Sequence, residues 1–554
     1  MARVSVLPAC TVAQIGPRVV ISTLSIACSL VFSLNLALTP LLAYLSEDFP
    51  WTIHPAPSSS YKPFDAFVAN VTAYLQAIYN NHTFPYANSG AFLRTPASFC
   101  MRHTLTLPPS IADCRMTMLR FPLQLFYGRG IQEFVCAFLA SNTTARVSYA
   151  SNSMCQLSTL LGMPLSDDCI WITPLGNDTY VVEVGTHEHL GPPFAWFKLA
   201  FRSGLMLYVS WIVWTSYYIH YRVLLKNLRR VGLPTTSQHG RMKTLVVYMG
   251  DPTYFVLSHR FISAFMVLDT WFSASSMSLA ICEVGQLKEF WLFLRGYLYI
   301  SRTVWYAYCV MRWASVFVKR QQWEHKVSSV DPSVLGIGVA IYAGPVFWFI
   351  QNSIVSVLFQ VLWSIFVPSA DQYSTIETIP SLLGVVGLVG SFPVAYSVFH
   401  AWWYRRHRSI DHTVSHFASA HYNDFKVKLL WLWLAPWSPS KDRRGRLTHL
   451  GGTIQHLIAK QPCHKHLPLF SLRAADCFIG CYDASGILIA RARLSLAAGL
   501  DRQKKQSDNM AIRICPTQHA HSVGLINNQP CCQAAGPTTT AWLHLGTSDC
   551  QWVL

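Results

Sequence analysis

The chain alternates long uncharged apolar runs with short charged stretches. The first run, 19–45, holds no charged residue, and others follow at 204–224, 261–282, 289–317, 334–367 and 381–404. A helix crosses a bilayer with about 20 mostly apolar residues, so each run predicts a span. The 19–45 run exceeds the ~7–15-residue core of a signal peptide and no small-residue cleavage site follows it, which predicts an uncleaved first helix. The 334–367 run is too long for one upright span and too short for a comfortable pair. Pro345, Gln351 and Asn352 interrupt it, so it predicts one kinked span or a re-entrant segment. Basic stretches follow the second, fourth and sixth runs ("RVLLKNLRR", "KRQQWEHK" and "RRHR"), and such flanks favour the cytoplasmic side.

The expected fold is therefore mainly α, a polytopic membrane helix bundle of about six spans in the plasma membrane. Residues 1–18 form a cytoplasmic N-terminus, 46–197 an extracellular α+β loop domain, and 198–404 hold the five further spans. A small basic α+β cytoplasmic module at 405–501 and a disordered tail at 502–554 complete it, with both termini cytoplasmic.

Composition fits that expectation. Only 12% of the residues are charged, about half the share of an ordinary soluble domain. The net charge of +17 is concentrated near the C-terminus: 405–505 carries 17 Lys/Arg against 6 Asp/Glu, whereas 47–197 carries 7 against 10. Attraction to anionic inner-leaflet lipids explains this more simply than a nucleic-acid partner. The sequons at Asn70, Asn81, Asn142 and Asn177 all fall between the first two runs, as expected for acceptors on an exposed outer loop. Cys100, Cys114, Cys136, Cys155 and Cys169 share that loop. In an oxidising lumen they can form up to two disulfides and leave one thiol.

Two arginines stand inside the fourth run. At 100° per residue, Arg295, Tyr299, Arg302 and Tyr306 share one helical face, a polar-aromatic stripe. A lipid-facing arginine costs at least about 2.5–3.5 kcal/mol near the bilayer centre, so this face should turn toward protein. Asp269 in the third run lies at a depth matching Arg302 to within about one residue, or about 1.5 Å. The two are expected to pair between adjacent helices, as a structural clasp or, alternatively, as part of a substrate, ion or proton site. Arg295, nearer the outer face, can snorkel or meet Glu283 or Glu289.

Asp251-Pro252 and Asp331-Pro332 have the pattern of an N-cap followed by proline at the first helical position. His412 and His416 have the i, i+4 spacing of a metal pair but no third ligand pattern. The stretch 451–462 reads as a helix, and "AADCFIGCYDASGILIARARLSL" as strand, turn, strand. There is no Walker A, GxSxG, strand-to-helix GxGxxG or kinase motif set. Nothing therefore implies a catalytic residue, cofactor or metal.

The segments "MGDPTYFVL", "YLYISRTVWYAYCVMRW", "VDPSVLGIGVAIYAGP", "GGTIQHL" and "RAADCFIGCY" together resemble an uncharacterised multi-pass membrane protein family of oomycetes. The resemblance implies membrane residence and carries over no catalytic residue. The expected function is a cell-surface receptor or sensor whose outer domain binds an extracellular ligand. The alternative is a transporter or channel with a polar site between the third and fourth spans.

Overall fold

Residues from both ends of the chain meet in one mixed sheet. β1 (Arg18–Ile21) lies parallel to β7 (Thr244–Tyr248), which continues antiparallel through β10 (Cys477–Tyr482), β11 (Leu488–Leu496) and β15 (Trp552–Val553). β9 (Thr448–Gly451) pairs parallel to β11. The computed structural model describes residues 17–407, apart from 54–62, 85–89, 234–242, 359–374 and shorter stretches of one to three residues. Beyond these it describes 448–452, 454, 469–497, 513–516, 523–527, 542–545 and 550–554.

A second sheet has the order β2 (Ala91–Thr95), β3 (Ser98–Thr106), β6 (Thr179–Glu188), β5 (Met163–Gly176), β4 (Ser153–Leu160), β8 (Thr375–Glu377). Its tight hairpins turn at Leu161-Gly162 and Asn177-Asp178, each with positive φ at both residues. That is the two-residue turn whose twist matches paired strands. β12 (Arg513–Pro516), β13 (Leu525–Asn527) and β14 (Trp542–Leu545) form a small third sheet.

Helices connect and cover these sheets. α1 (Thr23–Leu38) leads from the first sheet toward the second. α2 (Phe64–Ile78) buries Phe67, Val71 and Leu75 in a core with Cys155, Cys169 and Trp171 of the second sheet. α3 (Cys114–Met118) and α4 (Arg129–Ala140) are joined by the Cys114–Cys136 disulfide, and α5 (Thr143–Tyr149) follows. Cys155 and Cys169 face each other across β4 and β5 and are bonded, while Cys100 is a buried free thiol.

α6 (Pro192–Val213) passes through a π-turn into α7 (Ile219–Val231). α8 (Thr253–Leu257), α9 (Arg260–Trp271) and α10 (Ala274–Gly285) follow β7. α11 (Phe290–Ile300) runs through a 3-10 turn at Ser301–Thr303 into α12 (Val304–Arg320). At Gly296 an added Cβ would lie 2.6 Å from the Ala280 carbonyl oxygen, so glycine permits the close approach of α10 and α11. α13 (Pro332–Ile341), capped by Asp331, continues through a π-turn holding Pro345 into α14 (Phe347–Gln351). α15 (Ile379–His407) starts directly after β8.

The six-span bundle is incorrect. Among the described residues, two helical stretches are long and apolar enough to cross a membrane, Pro332–Gln351 and Leu382–Trp403. A third counts only if α9 and α10, bent by 76° at their junction, form one broken span. The architecture is α+β, with mixed sheets where a mainly helical bundle was expected. The error has a physical origin, because absence of charge does not make a helix continuous. Val19, Val20 and Ile21 are β-branched and pair as β1. Ser22 then caps α1, whose 16 residues end before Pro40. Charges also stand along the other helices, Lys198 and Arg202 just before the 204–224 run and Arg295, Arg302 and Arg312 within 289–317.

The 502–554 stretch, expected to be disordered, supplies β12 to β15. Trp552 is fully buried, donates Nε1–H to the His220 carbonyl at 3.2 Å and packs on Tyr221 at 4.8 Å. His412, His416 and most of the predicted 451–462 helix lie outside the described residues. Trp552→Ala should lower stability by about 3–5 kcal/mol, as for other buried tryptophans. Chemical denaturation of the full chain reads this as a lower midpoint; an unchanged midpoint would remove β15 from the folded core.

Candidate functional site

Five charged side chains converge where the second sheet meets the helices. Just beyond the 3-10 turn Leu41–Leu45 that follows α1, Glu47 turns inward. Lys198 and Arg202 sit one turn apart on α6, Asp269 on α9, and Arg302 in the 3-10 link before α12. Arg202 donates Nη1–H and Nη2–H to the two Glu47 oxygens, both at 2.8 Å, and Nε–H to Asp269 Oδ1 at 2.6 Å. Lys198 Nζ reaches Glu47 at 2.8 Å and Tyr299 donates its hydroxyl to Glu47 at 2.5 Å. Arg302 Nη2 bonds the other Asp269 oxygen, and its guanidinium stacks on the Tyr299 ring at 4.8 Å.

Arg202 is fully buried and bridges both carboxylates. Its planar fork suits this task in a way a lysine cannot. Burial alone would raise the Glu47 pKa. Attraction by Arg202, then Lys198, outweighs burial and holds the carboxyl well below its usual range.

The structure thus brings Asp269 and Arg302 together and adds three partners that the sequence reading left out. Lys198 and Arg202 lie just before the 204–224 run, although their i, i+4 spacing in an apolar stretch was a usable signal. Glu47 carries none, because it stands at the edge of a run, where the pattern predicts the start of the outer domain. Tyr299 joins the network, whereas Tyr306 is buried beside it in a separate cavity wall. Arg295 pairs with the buried Glu283 through Nη2, with its Nε at 3.3 Å. Asn70, Asn81, Asn142 and Asn177 are all exposed.

A cavity of about 130 Å³ lies next to this centre, between the second sheet and α10, α14 and α15. Met277, Ile281, Phe347 and Leu382 make apolar walls, and Asp168 supplies a carboxyl. Asp168 accepts from Thr186 Oγ1 at 2.8 Å, Ser158 Oγ at 3.0 Å and Gln156 Nε2 at 3.4 Å. Burial pushes its pKa up against the pull of those donors, Thr186 first. The carboxyl is therefore poised to exchange a hydrogen bond with a polar atom of an otherwise apolar guest.

Comparison with known proteins gives no match: no protein-family model, no curated protein and no solved structure resembles the chain. The site is read on its geometry alone.

Glu47→Gln removes one charge from a buried cluster and should cost about 3–5 kcal/mol at neutral pH. The folded-state pKa of Glu47 is depressed below the ordinary 4.5. Its stabilisation is therefore complete above pH 4.5 and is lost as pH falls toward the folded value. Unfolding free energy followed from pH 7 to 3 should decline less steeply for the variant. Parallel profiles would show that Glu47 does not carry this dependence.

Proposed function

We propose that the protein is a membrane-resident receptor that binds a small, mostly apolar ligand in the Asp168 cavity. The supporting observation is the origin of the cavity walls. One side is the disulfide-bonded second sheet, through Ser166, Asp168 and Thr186; the other includes Phe347 and Leu382 of the two helices able to cross a bilayer. A guest there touches both units at once, as a receptor requires. Apolar cavities of about 150 Å³ accept benzene, so the volume suits one ring. The transporter reading has weaker support, because Asp269 is bonded by both Arg202 and Arg302 in a buried ion-pair cluster.

Disulfides persist in oxidising compartments, which favours the second sheet facing outward from a plasma membrane. The first sheet holds the free thiols Cys477 and Cys481 and gathers residues from both ends of the chain, so it is assigned to the cytoplasm. On this reading the exposed sequon asparagines carry glycans. Changing Asn70, Asn81, Asn142 and Asn177 to Gln should abolish a mobility shift on endoglycosidase treatment; a shift that survives would place the glycans elsewhere.

For the ligand site, the full chain in uncharged detergent can be melted with benzene, phenol and indole. A saturable rise in melting temperature is expected, lost in Ala274→Leu, which fills the cavity. Asp168→Asn should weaken phenol about tenfold while leaving benzene unchanged, the size of one hydrogen bond to a carboxyl group. Absence of any shift across the three probes would sink the receptor assignment.

A further inference from the structure

Most acids enclosed by this fold are matched by a cation. Glu47, Asp167, Glu183, Asp269, Glu283 and Asp476 each form an ion pair with a lysine, arginine or histidine. Asp251 and Asp331 accept from the backbone amides of Thr253 and Ser333 at the starts of α8 and α13. Asp168 is met differently. Three neutral groups donate to it, the hydroxyls of Thr186 and Ser158 and the amide of Gln156, and no ion pair joins it among the described residues. It is enclosed by protein yet keeps accessible surface, and it lines the cavity. Three donors aimed at one carboxyl favour its ionised form, whereas burial and the neighbouring Asp167 oppose it. A carboxylate out of water is costly unless a positive charge meets it.

The rest of the lining sharpens that requirement. Among the described residues no lysine, arginine or histidine lines the cavity. Ser158 and Thr186 spend their hydroxyl protons on Asp168. Ser275 gives its proton to Glu188 at 2.9 Å, Ser278 to the Ser275 carbonyl at 2.7 Å and Thr303 to the Ile300 carbonyl at 2.7 Å. Gln156 divides its amide hydrogens between Asp168 and the Phe126 carbonyl. A hydroxyl whose proton is committed offers only lone pairs. The polar wall around Asp168 therefore presents acceptors in excess of donors, with a second acid, Glu188, behind Ser275. A neutral alcohol could donate one hydrogen bond there but would leave the negative charge uncompensated, and an anion would be repelled. An ammonium group carries three donors, no acceptor and the missing charge.

We propose that the guest of this cavity is a small hydrocarbon amine, its protonated nitrogen paired with Asp168 and donating to the Ser158 and Thr186 hydroxyls, its carbon skeleton against Met277, Ile281 and Phe347. This names the ligand class of the receptor site and rests on that reading of the cavity.

The test melts the full chain in uncharged detergent against cyclopentylamine hydrochloride, cyclopentanol and methylcyclopentane, which share one skeleton and match benzene in heavy-atom count. The rise in melting temperature with concentration gives each affinity. Cyclopentylamine should bind at least about tenfold more tightly than either neutral guest, and Asp168→Asn should remove that preference while methylcyclopentane still binds. The three guests decide the point in the parent chain even where Asp168→Asn does not fold. Binding of methylcyclopentane with no preference for the amine would overturn the amine and leave the cavity reading standing. Binding of none of the three would overturn both. Sodium chloride is the bare-cation control, compared at equal ionic strength with N-methylglucamine chloride, whose cation is too large for the cavity. A saturable rise with sodium equal to that with the amine would assign Asp168 to an inorganic ion and overturn the proposal.

Discussion

Arg202 holds the molecule together at one point. Its guanidinium joins Glu47, at the end of the segment leaving α1, to Asp269 on α9, and Asp269 in turn holds Arg302 before α12. Four separate stretches of chain are thereby fixed around one fully buried side chain. Burying five charges is unfavourable unless each carboxylate is saturated with donors. Glu47 meets that condition with Lys198, Arg202 and Tyr299. The arrangement explains why helices with charges in their apolar runs pack here: the charges face one another.

Part of this was legible in the sequence. Asp269 and Arg302 stood out because each interrupts an apolar run, and helical spacing placed Arg302 beside Tyr299. Arg202 gives no such signal, because it stands two residues before the uncharged 204–224 stretch begins. Helix continuity was the larger misjudgement. Hydropathy reports what a segment can be buried in, not whether its backbone stays helical. Val19–Ile21 has the composition of a span yet the β-branching of a strand, and it pairs with β7, 226 residues along the chain. The bend between α9 and α10 at Phe272-Ser273 has no proline or glycine to announce it.

Cysteine counting fixed the number of possible bonds, but pairing needed the register. Cys155 and Cys169 become neighbours only once the Leu161-Gly162 turn sets β4 against β5. Trp552 presents a similar case: nothing local predicts a strand, and its place is defined by β11 and the α7 backbone. Such features belong to tertiary context and leave little trace in local pattern.

β8 is short, but its direction matters. Leu157, Ser158 and Thr159 pair in parallel with Thr375, Ile376 and Glu377, and the Glu377 carboxylate also takes the amides of Leu161 and Gly162 at 3.0 and 3.1 Å. α15 begins two residues later. A pull on α15 directed along the β8 strand would load these strand bonds in shear, all together, instead of peeling them singly. The hairpin tip and the helix are thus a mechanical joint, able to carry tension between the bilayer-compatible helix and the sheet without first unzipping.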